Sequence, residues 1–153
     1  MDKYLRAAHK YLNVKKPELA EKILDQAVVR FPRTFELYYL RAKVRHRYLK
    51  KETLALQDFS LVLRSRPDQF PKAFWYRGDI YVGYGQYQQA IKDYTACLKR
   101  MPTYGKVYFK RAHALFKLGY YREASADLKR CVRYNPVYQD AVTAFRKENH
   151  LWL

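Results

Sequence analysis

Cysteine is almost missing from this chain: Cys97 and Cys131 are the only two, and neither belongs to a CxxC or a His/Cys series with metal-ligand spacing. That excludes a disulfide framework and a zinc module, and no cofactor is expected. Glycine is also sparse, with five residues and no glycine-rich phosphate loop, and there is neither HExxH nor a Ser, His and Asp set that the helical repeats would bring together. No enzyme class is therefore indicated. Long apolar runs are lacking as well. Although 49% of the residues are hydrophobic and 17% aromatic, no run approaches the roughly 18 residues of a membrane helix, and no signal-peptide pattern precedes the first helical pattern. These absences lead us to expect an intracellular, cytoplasmic chain. Carboxylates are few: 14 Asp and Glu stand against 31 Lys and Arg, for a net charge of +17. A field of that sign favours acidic peptides, nucleic acid or anionic surfaces without choosing among them.

What the chain has instead is a period. Residues 71 to 104 hold two amphipathic helical patterns separated by Gly85, with Phe74, Gly78 and Tyr81 in the first, Ala90, Tyr94 and Cys97 in the second, and Pro102 closing the second. Small residues at Gly78 and Ala90 suit a close helix crossing, with the rings filling the space above and below. The pattern recurs. The second-helix alanine returns as Ala20, Ala55, Ala90 and Ala124, and the closing proline as Pro32, Pro67, Pro102 and Pro136, both at spacings of 35, 35 and 34. The first-helix small residue returns as Ala8, Ala42, Gly78 and Ala112.

This aromatic, small, aromatic, A-x3-aromatic and proline pattern resembles the tetratricopeptide repeat (TPR). Pentatricopeptide repeats have nearly the same period, but the A-x3-aromatic element and the closing proline favour TPR. The resemblance implies an all-α fold, an α-solenoid in which TPR helix hairpins form a right-handed superhelix. We expect one domain over 1–153, made of repeats at about 1–34, 35–70, 71–104 and 105–138 and a capping helix over 139–153. A chain of this length buries about 70% of its unfolded surface. Cys97 and Cys131 then occupy equivalent sites of adjacent repeats, where stacked helices lie about 8 to 10 Å apart, too far for a disulfide. Both are expected to be buried thiols.

The second repeat departs from the pattern. Ala42 to Ala55 spans 13 residues where the other repeats span 12, Lys50 and Lys51 stand at its turn, and the connection from Pro67 to Gly78 carries one extra residue together with Pro71. A local irregularity is expected there. In the first repeat Asp2 is the plausible cap, Pro17 suits the first position of a helix, and Leu19, Ala20, Ile23, Leu24 and Ala27 make its buried stripe. Val142 and Phe145 should seat the last helix on the fourth repeat, and Leu151, Trp152 and Leu153 form an apolar end that docks on the cap or promotes self-association of an otherwise monomeric chain.

The resemblance implies that first helices line a concave groove. The residues offset from the core stripe are Leu5 and His9, then Tyr39, Lys43, His46 and Arg47, then Lys72, Trp75, Tyr76 and Asp79, and finally Lys106, Phe109, Lys110, His113 and Lys117. Aromatics and cations alternate. Such a surface suits a non-enzymatic scaffold that binds an acidic or apolar segment of a partner protein. The alternative is RNA or another polyanion, with bases stacked on Trp75, Tyr76 or Phe109 and phosphates met by lysines. The three groove histidines come from different repeats and do not form a metal site. TPR domains that hold the C-terminal carboxylate of heat-shock chaperones use two cations one turn apart, and Lys106 and Lys110 match that pair. The rest of that clamp is missing, because Tyr39, Lys43 and Tyr76 stand where it needs a lysine and asparagines.

Overall fold

The computed structural model describes residues 1–151, and every regular element among them is helical. The chain divides into two compact units, Met1–Arg77 and Gly78–Leu153.

In the first unit the helices are α1 (Asp2–Asn13), α2 (Pro17–Arg30), α3 (Phe35–Val44) and α4 (Glu52–Ser65), followed by the first half of α5 (Pro71–Gly83). Asp2 is the first helical residue rather than the cap, which is Met1; its carboxylate still faces the positive end of the helix dipole. Pro17 and Pro71 each open a helix, where proline's missing N–H costs nothing. Ala8, Ala20, Leu24, Ala27, Leu37, Leu40 and Val44 form the core. Leu19, expected in that core, is exposed, and Glu21 is buried in the same helix. Glu21 is held there by two cations, Arg45 and Lys51, and Leu19, two residues earlier, lies on the opposite side of the helix.

The extra residue between Ala42 and Ala55 is absorbed in one place. α3 widens into a π-helical turn, Arg45–Leu49, before Lys50 reverses the chain in the left-handed region at φ 55°. In the other three hairpins the closing hydrogen bond spans five residues, from the N–H of Lys16 to Tyr11 O, of Gln86 to Tyr81 O and of Tyr120 to Leu115 O; here Lys51 N–H reaches back six, to Arg45 O at 2.9 Å. The residue before each donor has positive φ: Lys15 (56°), Lys50 (55°), Gly85 (71°) and Gly119 (80°). All four lie five positions before the second-helix alanine, so the turn is one motif with either glycine or lysine in its strained seat. The second extra residue sits in the connection between α4 and α5, which runs over 66–70 where its counterparts run over 31–34 and 101–104.

The second unit holds the rest of α5, then α6 (Tyr87–Arg100), α7 (Gly105–Lys117), α8 (Tyr121–Tyr134) and, after a 3₁₀ turn at Pro136–Tyr138, α9 (Gln139–Glu148). Its core contains Tyr94, Cys97, Val107, Ala112, Leu128 and Cys131, with Val142 and Phe145 of α9 buried against it. Both cysteines are free thiols inside the fold, and burial pushes that of Cys131 up to about 11. Gly78 meets the Tyr94 ring: a Cβ there would lie 2.7 Å from one ring carbon and 2.9 Å from the next. The close crossing read from the sequence is therefore real. Leu151 is buried, while Trp152 and the docking or self-association expected of it lie outside the described residues.

Candidate functional site

The predicted groove residues fall into two groups, one in each unit. In the first unit α3 has two charged faces of opposite character. On one, Arg41 makes a bidentate pair with Asp58 (2.9 and 2.8 Å) and also reaches Asp25 at 2.9 Å. One turn later Arg45 donates to Glu21 (2.9 Å), Asp58 (2.8 Å) and Asp25 (3.0 Å). Lys51 adds a contact to Glu21, and the Glu21 carboxyl, which desolvation alone would raise, is held below its usual range by Lys51 and Arg45. Charges taken out of water in this way must be matched, and here they are.

The opposite face carries Lys43 and Arg47, one turn apart. The Lys43 ammonium lies over the Tyr39 ring, 5.5 Å from its centroid. Desolvation, then the positive charges of Arg47 and Lys72, hold its pKa below the ordinary lysine value. Lys43 and Arg47 line a cavity of about 180 Å³ together with His9, Leu12 and Asn13 of α1 and Leu40, Val44 and Tyr48. His46 points elsewhere: its Nδ1 lies 2.7 Å from Glu52, and its ring meets Tyr76 edge-on.

The aromatic residues are placed differently from the expectation. Trp75 and Tyr76 are only 7% and 6% exposed. Tyr76 stacks on Phe59, with centroids 5.7 Å apart and planes 11° apart, and on Trp75 at 4.5 Å; Tyr39 packs among Phe59, Phe70 and Tyr76. These rings fill space between helices and do not offer open faces to a base. The physical reason is size, since a large ring one turn from a small residue reaches the neighbouring helix.

In the second unit α7 carries Lys106, Phe109, Lys110, His113 and Lys117. Phe109 packs on Tyr138 and Phe145, and His113 and Phe116 also meet Phe145, so the capping helix covers these rings. Burial, then the charges of Lys117 and Lys110, hold the His113 pKa below the usual value. Lys110 is half-exposed, and its Nζ stands 3.6 Å from Asp79, a carboxylate that already accepts a 2.7 Å hydrogen bond from Tyr94. On the far side of α7, Arg111 makes a bidentate pair with Asp127 (2.7 and 2.9 Å) and reaches Thr95 at 2.9 Å. This pair repeats that of Arg41 and Asp58 in register, a feature the sequence reading missed although Arg stands just before the small residue in both repeats.

Comparison with known proteins agrees with this architecture. Residues 71–104 and 105–138 each match a tetratricopeptide-repeat family model. Among solved structures, MamA of Desulfovibrio magneticus RS-1 is 20% identical and superposes with a TM-score of 0.84 over 97% of this chain and 86% of its own. A thermophilic TPR protein of Thermus thermophilus is 18% identical, with a TM-score of 0.75 over 96% of this chain and 81% of its own. No curated protein matches the sequence. At these identities the likeness is one of fold.

Proposed function

Since the chain is a TPR protein, an α-solenoid of helix hairpins, we propose that it is a non-enzymatic interaction scaffold that holds an acidic segment of a partner protein against the cations of its first helices. One observation carries this reading: buried carboxylates balance Arg41 and Arg45 on one face of α3, while among the described residues no carboxylate pairs with Lys43 or Arg47 on the other. Lys106, Lys110 and Lys117 place a second set of cations on α7. Each set, in its own unit, attracts carboxylates and fixes them by charge-assisted hydrogen bonds. Nucleic acid is the competing ligand for such a charge, but burial of Trp75 and Tyr76 removes two of the three rings read as stacking positions for a single strand.

The test is a fluorescence-anisotropy titration of acidic peptides and of a generic single-stranded RNA at two salt concentrations. Parent and Lys106→Ala/Lys110→Ala proteins are compared. The scaffold reading expects sequence-dependent peptide binding that the double substitution weakens by about 1 to 3 kcal/mol. RNA binding that is tight, indifferent to sequence and falls with a log-log salt slope of about −0.7 per phosphate contacted would replace it with the polyanion reading.

A further inference from the structure

We propose that the cavity between α1 and α3 is a binding site for a phosphomonoester, the group presented by a phosphorylated side chain or by free phosphate. The proposal rests on the scaffold reading and names the chemistry that this part of the groove accepts. Its basis is the asymmetry of α3. Glu21, Asp25 and Asp58 are drawn to Arg41, Arg45 and Lys51, and Glu52 to His46. Among the described residues, no carboxylate pairs with Lys43 or Arg47. One carboxylate would leave one of these two charges uncompensated, whereas a phosphomonoester brings about −1.5 to −2.

Donor geometry points the same way. Arg47 supplies a planar fork suited to two phosphate oxygens, Lys43 supplies a compact ammonium beside it, and Asn13 adds an amide. His9 also lines the cavity, but its Nδ1–H is donated to the Leu5 carbonyl at 2.8 Å, so the donors for an anion are those of Lys43, Arg47 and Asn13. Leu12, Leu40, Val44 and Tyr48 complete the lining, and an apolar wall strengthens ion pairs formed against it. The volume of about 180 Å³ is below the roughly 300 Å³ at which pockets for drug-sized ligands begin. It suits a small anion and not a nucleotide.

The experiment is an NMR titration of the ¹⁵N-labelled full chain with three capped peptides identical except for one central residue, which is phosphoserine, glutamate or serine, and with inorganic phosphate. The expected result is saturable shifts of the Arg47 Nε–H and Asn13 side-chain signals, with phosphoserine preferred over glutamate by about tenfold. Arg47 is exposed, so Arg47→Ala should fold as the parent does; it should lose about tenfold in phosphopeptide affinity, and Lys99→Ala, on a second helix, should lose nothing. A phosphopeptide that outcompetes inorganic phosphate identifies a phosphorylated partner, and equal affinities identify a site for the free ion; either supports the proposal. Equal binding of the phosphoserine and glutamate peptides, or unchanged affinity in Arg47→Ala, overturns it. If acidic peptides bind without phosphate preference, only this inference falls. If phosphate binds at Arg47 but no acidic peptide binds anywhere, the scaffold reading falls and the pocket stands.

Discussion

Replacing Gly78 by alanine adds a methyl where the Tyr94 ring already lies 2.7 Å from the new atom. In an exposed helix the change would stabilise by about 1 kcal/mol, because alanine is the better helix former. Here the ring must move, and Tyr94 is fully buried with its hydroxyl bonded to Asp79 at 2.7 Å. Overpacking costs about 1 to 3 kcal/mol, and a ring that slides off Asp79 forfeits about 1 kcal/mol more. The balance is a loss of roughly 1 to 3 kcal/mol, which for a chain of this size lowers Tm by about 2 to 4 °C per kcal/mol. Gly78→Leu should cost more. The register supplies a rescue, since Leu24 and Leu128 stand where Tyr94 stands, in the repeats whose small residue is Ala8 or Ala112. Gly78→Ala placed on a Tyr94→Leu background should therefore be neutral or stabilising. The assay is a double-mutant cycle by urea unfolding followed by circular dichroism, with an expected coupling of about 1 kcal/mol or more. Additive effects, or a Gly78→Ala protein that melts above the parent, would show that the ring yields freely and that steric contact does not select the glycine.

Lys50→Gly should raise stability by about 0.5 to 1 kcal/mol, because it removes a left-handed lysine at the seat that Gly85 and Gly119 occupy; a lower melting temperature would mean that the lysine side chain matters there. Asp127→Ala strands Arg111, most of whose side chain is covered, and should cost about 3 kcal/mol, with Asp127→Asn in between; equal melting of all three proteins would refute a matched buried pair. Glu21 has a folded pKa below its ordinary 4.5, so its contribution is complete above that value and lost as pH falls through the lower folded one. Glu21→Gln should accordingly flatten the acid limb of the stability profile below about pH 4.5 and leave its shape at neutral pH unchanged; an acid limb identical to the parent's would remove Glu21 from the network.

Helices and turns were legible because each leaves a local mark: small residues at crossings, proline at closures, and glycine or lysine at the reversing position. The charge matching around α3 was not, because its partners lie 13 to 24 residues apart and sit on three different helices. Lys43 and Arg47 could be placed on the groove side, but that they would be the unmatched cations depends on where Glu21, Asp25 and Asp58 point. The burial of Trp75 and Tyr76 was not legible for a related reason. Helical spacing gives a residue's face, whereas burial depends on how closely the next helix approaches, and the reach of a large ring decides that.

The π turn at Arg45–Leu49 changes how an insertion acts in this architecture. One added residue in a straight α-helix rotates everything after it by about 100° and would turn the apolar stripe of α4 away from its neighbours. Here the displaced frame is restored within five residues, and Ala55, Phe59 and Val62 still face the core. The hairpin thus behaves as an indel buffer: its first helix can lengthen by a residue while its second keeps its phase. Deleting one residue of the π turn should return the hairpin to the 12-residue spacing of its neighbours, with a five-residue closing bond and α4 in the same register.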